Sequence, residues 1–183
     1  MTSPWPAIVF GLAVLLPGHM LADQNDARLD ELFLVIQQTE ITVEASEAED
    51  RIWEIWLQHD NASTQARLAE GIVEMNANPR DALRTFHQLI EQFPDFAECW
   101  NKRATLYYIL GDYTASERDI QRTLELEPRH FGALSGLGLI NLANGEYVKA
   151  KSVFEAVLRI HPHARGARQN IELIDEYFRR RAI

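Results

Sequence analysis

Pro94, Pro128 and Pro162 are evenly spaced, the same interval occurring twice over. Each closes a similar phrase: Leu89-Ile-Glu-Gln-Phe-Pro94, Leu124-Glu-Leu-Glu-Pro128 and Leu158-Arg-Ile-His-Pro162. The landmarks upstream keep the register. Ala82, Ser116 and Ala150 are small, the large Phe86, Ile120 and Phe154 follow four residues later, and Leu89, Thr123 and Val157 three after that. A fixed period of this length dictates the architecture. Each unit is one supersecondary element that cannot bury its apolar face alone, so neighbours must stack into a solenoid.

The first half of each unit repeats as well. Trp100, Arg103, Ala104 and Tyr107 align with Leu134, Leu137, Gly138 and Asn141. Small residues let two helices cross closely, and large ones fill the space beside them. The proline follows the second helix because it cannot continue it. Gly111 and Gly145 coincide too, each where a first helix needs a left-handed cap. The pattern resembles the tetratricopeptide repeat (TPR), W-x2-L-G-x2-Y followed by A-x3-F, a further small residue and P. Units at 97–130 and 131–164 match best. A third at 63–96 is degenerate, with Leu68, Gly71 and Ile72 in its first helix and Asn78-Pro79 placed as N-cap and first residue of its second.

Outside these three units the period weakens. One period before Ala82, Phe86 and Leu89 stand Ala48, Ile52 and Ile55, which keep the small–large–large order. Residues 26–59 are therefore either a poor fourth repeat or a capping hairpin, expected to stack on the repeats, with Trp53 and Trp56 beside Ile55 as core or as a partner-binding stripe. Residues 165–180 predict one last helix with Ala167, Ile171, Ile174 and Phe178 on a stripe and arginines elsewhere, the solvating cap that terminal units need. The expected division is a signal segment at 1–22, an acidic helical hairpin at 23–62, three repeats at 63–164 and a capping helix at 165–183.

What the resemblance implies is an all-α, right-handed solenoid whose first helices line a concave groove, and a partner that is another protein or an extended peptide. The inward stripe holds Glu98, Asn101, Thr105 and Tyr108 on one repeat and Ser135, Leu139 and Leu142 on the next, with Arg129 and His130 in the loop between them. Arg103 stands where the pattern wants an apolar residue, which puts a further polar group near the inner surface. Asn101 can give and take hydrogen bonds with a peptide backbone. Arg129 offers a planar fork for a carboxylate, or else pairs with Glu98 or Glu127. Two roles follow: an adaptor with an open groove, or a structural assembly factor of an envelope complex whose groove is filled by its own chain.

Residues 1–22 contain no Asp, Glu, Lys or Arg, and the run Ala7–Leu16 is nearly all apolar. A short apolar core, Pro17-Gly18, and Leu21-Ala22 before Asp23 read as a secretory signal cut after Ala22, giving an exported, periplasmic chain. Membrane association is expected only if that segment is retained. Residues 23–60 carry eleven carboxylates against Arg28 and Arg51, a net of −9, while residues 61–183 carry sixteen of each sign. No basic footprint points to nucleic acid. The single cysteine, Cys99, rules out an internal disulfide and suits a buried, inert thiol. No nucleophile elbow, HExxH pair or phosphate loop is present, so neither catalysis, a cofactor, a small-molecule substrate nor a metal is expected.

Overall fold

The computed structural model describes residues 23–181, and the proposed signal segment lies outside them. Among the described residues nine helices follow one another: α1 (Arg28–Gln38), α2 (Thr42–Trp56), α3 (Ala62–Ala77), α4 (Pro79–Gln92), α5 (Ala97–Ile109), α6 (Tyr113–Leu126), α7 (Phe131–Ala143), α8 (Tyr147–Ile160) and α9 (Arg165–Arg181). No strand occurs among the described residues. Helices α3/α4, α5/α6 and α7/α8 pack as antiparallel pairs, and α9 closes the row against α8.

The two glycine caps do what the spacing requires. Gly111 and Gly145 have φ of 81° and 74°, where a side chain would strain the backbone. At the first, Asp112 donates its N–H to the Tyr107 carbonyl at 2.9 Å and Gly111 donates to Tyr108 at 3.0 Å. These two bonds satisfy carbonyls that the end of α5 leaves open. Asp112 then caps α6, its carboxylate accepting from the Ala115 N–H at 3.0 Å. Asn78 differs from expectation: its side chain makes no cap bond and instead donates to Asp81, although Pro79 does open α4.

Small-against-large packing holds the pairs together. Ala82, Ala150, Phe86 and Phe154 are buried. A methyl at Gly138 would come within 2.6 Å of Phe154, so only glycine lets α7 and α8 approach this closely. Arg103, expected near the groove, is turned between α5 and α6. Its guanidinium grips the buried Asp119 with bonds of 2.7 and 2.9 Å and lies over Trp100. One repeat later the two positions are Leu137 and Val153, so an ion pair here replaces an apolar contact.

Each repeat passes to the next through the same proline turn. The N–H groups of Phe96, His130 and Ala164 donate to the carbonyls of Phe93, Glu127 and His161 at 3.0–3.1 Å. These three turns form one edge of the solenoid, and the N-terminal hairpin lies across all of them.

The hairpin is stacked along the row of repeats and does not extend it as a further unit. Gln24 donates to the Asp95 carbonyl and accepts from the Ala97 N–H at the first turn. Asp30 and Phe33 meet Arg129 at the second. The Thr39 carbonyl accepts from His163 Nε2 at the third. Helix α2 then runs back, meeting His161 through Glu49, and His130 and Phe131 through Trp53 and Trp56; the loop after it meets Phe93 and Phe96 through His59. The hairpin is a strap along the solenoid. Its Leu29, Phe33, Ile36, Ala48, Ile52, Ile55 and Trp56 are buried in one core with Phe131, Phe154, Val157, Ala167 and Ile174.

Of the stripe on α9, Ala167 and Ile174 are buried and Ile171 is partly so, but Phe178 is exposed, touching Tyr147 by its edge. The Arg179–Arg181 run ends α9, where cations suit the negative end of the helix dipole.

Candidate functional site

Beneath the strap, α5 and the turn before α7 build a buried polar network. Glu98 and His130 are almost fully inaccessible. Backbone geometry fixes the histidine's tautomer. The Ala133 N–H donates to His130 Nδ1 at 3.1 Å as a cap of α7, so the ring proton sits on Nε2 and is donated to Glu98 at 2.9 Å. The same carboxylate accepts from the Asn101 amide at 3.1 Å and pairs with Lys102 at 2.8 Å. Burial pushes Glu98 upward, but Lys102 and His130 outweigh it and hold the carboxyl below its usual range. Trp56 stacks on the His130 ring at 4.0 Å, and the Lys102 ammonium lies 5.4 Å from the Trp53 ring.

Where the strap leaves the solenoid, a cleft of about 630 Å³ opens. One wall is α2, with Thr42, Ser46, Glu49 and Trp53. The other is α7, with Gly132, Ser135 and Leu139, and the end is made by His163, Arg165 and Asn170. Phe131, Phe154 and His161 also line it. A smaller hollow of about 180 Å³ adjoins it, shares Gly132, Ser135 and Leu139, and adds Asn101, Thr105 and Tyr108. The size falls in the range that holds a small ligand or a few residues of extended chain. The Glu49 carboxyl is drawn down from its usual range by the hydrogen bond from His161. Among the described residues no group of three or more His, Cys, Asp or Glu is arranged to hold a metal.

The structure sorts the groove residues expected from sequence into three sets. Asn101, Thr105, Tyr108, Ser135 and Leu139 do share the inner face and line the open hollows. Glu98 and His130 lie at the strap seam and are closed to solvent. Arg129 is engaged twice, by Glu127 at 3.1 Å and by Asp30 at 2.6 Å, so the pairing alternative describes it better than a waiting carboxylate fork. Leu142 and Arg103 leave the groove altogether: Leu142 packs into the core, and Arg103 serves α5–α6 packing. Sequence reasoning missed the α2 wall and the α9 end, including Ser46, Glu49, Arg165 and Asn170, because both lie outside the well-matched repeats.

Paired antiparallel helices, a repeating proline turn and an inner face lined by first helices define a helical-repeat scaffold. A family model of the tetratricopeptide repeat matches residues 76–119 and 101–165. A TPR repeat-containing protein of Rhizobium etli is 34% identical over 179 residues, covering 96% of this chain and 86% of that one, strap included. The chain belongs to the TPR family. Among solved structures, the first TPR domain of Spaghetti (RPAP3), bound to an HSP90 peptide, superposes with a TM-score of 0.60 at 19% identity over 65% of this chain and 95% of its own. A MamA crystal structure does so with 0.57 at 22% identity, over 80% of this chain and 82% of its own. Family members are, in general, protein-interaction modules and not enzymes.

Proposed function

We propose that this chain is an exported scaffold that holds an extended segment of a partner protein in the cleft between α2 and α7. The observation that carries the reading is the cleft itself: Thr42, Ser46, Ser135 and Asn170 line it together with Trp53, Phe131 and Phe154, and the Ser135 hydroxyl, which donates to the Phe131 carbonyl, can still accept. Side chains that can donate and accept suit a peptide backbone of varied sequence. The half-buried Trp53 and Tyr108 supply the flat amphipathic surface enriched at binding hot spots. The uncharged, apolar stretch at 1–22 supports export.

The test is capture of partners from envelope extract on the immobilised protein. Ser135→Phe, which fills the cleft, is expected to weaken capture at least about tenfold, and Tyr108→Ala by about 1–3 kcal/mol. Arg118→Ala, on the outer helix α6, is expected to change nothing. Undiminished capture by Ser135→Phe refutes the cleft as the site. Export is tested by the N-terminus of the native protein, expected at or near Asp23. A second reading, a structural assembly factor, draws on the strap, which fills part of the inner face with the chain's own residues.

A further inference from the structure

The seam under α2 is unlike a permanent core. Glu98, Asn101, Lys102 and His130 meet there, and every bond they make to one another comes from α5 or the turn before α7. The strap contributes no hydrogen-bond partner to that network. A seam that stays shut gains little from buried charge, since apolar side chains of similar volume serve as well or better. A face that is sometimes wet does need polar groups that stay satisfied with or without a cover. Arg129 fits the same logic, since it keeps Glu127 when Asp30 leaves. Among the described residues three buried polar atoms lack a hydrogen-bond partner while the seam is closed. Glu98 Oε1 keeps its ion pair with Lys102. On opposite sides of the seam, Trp56 Nε1 on the strap and His161 Nδ1 on the solenoid keep none. Each of these two is a desolvated group without compensation, and opening the seam relieves that cost.

The contacts also define what the face receives. From α2 it takes Glu49 on His161 at 2.9 Å, the Trp53 indole against Gly132 and Lys102, and the Trp56 indole on His130. These three side chains stand at i, i+4 and i+7 of one helix, a single face. The groups receiving α2 include Lys102 and the histidines His130 and His161, whereas the strap is strongly acidic.

We propose that this face is a docking site for an amphipathic helix of a partner protein. The helix carries a carboxylate followed, four and seven residues on, by large aromatic side chains. Helix α2 fills the site in cis until such a helix displaces it. This reading rests on the proposed scaffold function and concerns the surface beneath α2, which borders the open cleft and shares Glu49, Trp53, Gly132 and His161 with it.

The test uses the full chain. A fluorescein-labelled peptide with the sequence of residues 42–60 is titrated by anisotropy into the wild type and into Trp53→Ala, which loosens the strap and leaves the receiving face unaltered. Apparent affinity scales with the open fraction, so the variant is expected to bind at least about tenfold more tightly than the wild type. Adding Gly132→Ala places a methyl where the probe's indole must sit, and returns binding to the wild-type level or below. Glu49→Gln is a milder second loosening, and a melt of each variant confirms that it is folded. In the wild type, amides of α1 and α2 are expected to exchange with deuterium faster than those of α5–α8. Equal probe affinity for wild type and Trp53→Ala overturns the proposal, as do strap amides that exchange only as slowly as α5–α8. A concentration-dependent dimer of Trp53→Ala assigns the face to a second copy's strap and overturns the partner helix. Natural partners captured through the cleft that ignore the probe leave the scaffold function standing and overturn only this proposal.

Discussion

Gly132 and Gly166 occupy the same place in consecutive units, second in α7 and second in α9, yet they face different surroundings. A methyl at Gly132 would stand 2.5 Å from Trp53 Cη2 and 3.0 Å from Cζ2, whereas a methyl at Gly166 meets nothing within 4 Å. Trp53 has little freedom to yield, being held edge-on against Phe131 at 5.4 Å and Trp56 at 5.3 Å. Replacing a helical glycine with alanine is by itself stabilising by roughly 0.5–1 kcal/mol. Forcing extra volume into a packed seam costs about 1–3 kcal/mol. Gly132→Ala is therefore expected to lose about 1–2 kcal/mol net, while Gly166→Ala gains about 0.5 kcal/mol. In a chain of this length 1 kcal/mol moves the melting temperature by roughly 2–4 °C, so Gly132→Ala should melt about 3–6 °C lower than the wild type. Thermal denaturation followed by circular dichroism at 222 nm reads both variants. A melting temperature that rises in both would mean that Trp53 does not seat on α7, and the strap assignment falls with it.

Two further expectations concern buried groups. Glu98 and Glu49 have carboxyls held below the usual 4.5, so the unfolded chain takes up protons first as pH falls. Their stabilisation is present above that value and lost below it, and the urea midpoint should drop between about pH 5 and pH 3, less steeply in Glu98→Gln. An equal slope in the variant would remove Glu98 from the account. Burial, with Glu98 beside it, pushes the Cys99 thiol upward. A thiol-reactive chromogen at about pH 8 should leave the native protein unlabelled and react only after urea is added. Prompt labelling without urea contradicts the packing around α5.

The repeats were legible because they rest on a local period. Ala82, Phe86, Ala150 and Phe154 meet neighbours one or two helices away, and the left-handed glycines punctuate each pair, so spacing alone carries the fold from α3 to α8. The hairpin was legible only inwardly: Ala48, Ile52 and Ile55 are buried, as the pattern carried back from Ala82, Phe86 and Leu89 requires. Its docking was not, because Gln24, Asp30 and Thr39 find partners 71, 99 and 124 residues away and follow no period. One trace did exist. Glycine at 132 departs from the bulk usual on a packed face, and Trp53 is what fills the space it leaves. Of the inward stripe, Thr105, Tyr108 and Ser135 follow helix geometry and line the same hollow. Glu98, His130 and Arg129 were hidden by contacts that only the strap's path decides.

That path has a consequence for the order in which the chain assembles. A plain repeat array can fold as it emerges, each unit leaning on the one before. Here the hairpin, made before the repeats, is the last element to find its place. Trp53 and Trp56 leave the ribosome two whole repeats ahead of His130 and Phe131, on which they close. Glu49 waits still longer for His161. Until α7 and α8 exist, the aromatic face of α2 has nothing to rest on, and it is kept apart from other chains chiefly by its own carboxylates. The heavy negative charge of residues 23–60 thus has a use during synthesis that the finished molecule conceals, as a guard on an aromatic helix awaiting its seat.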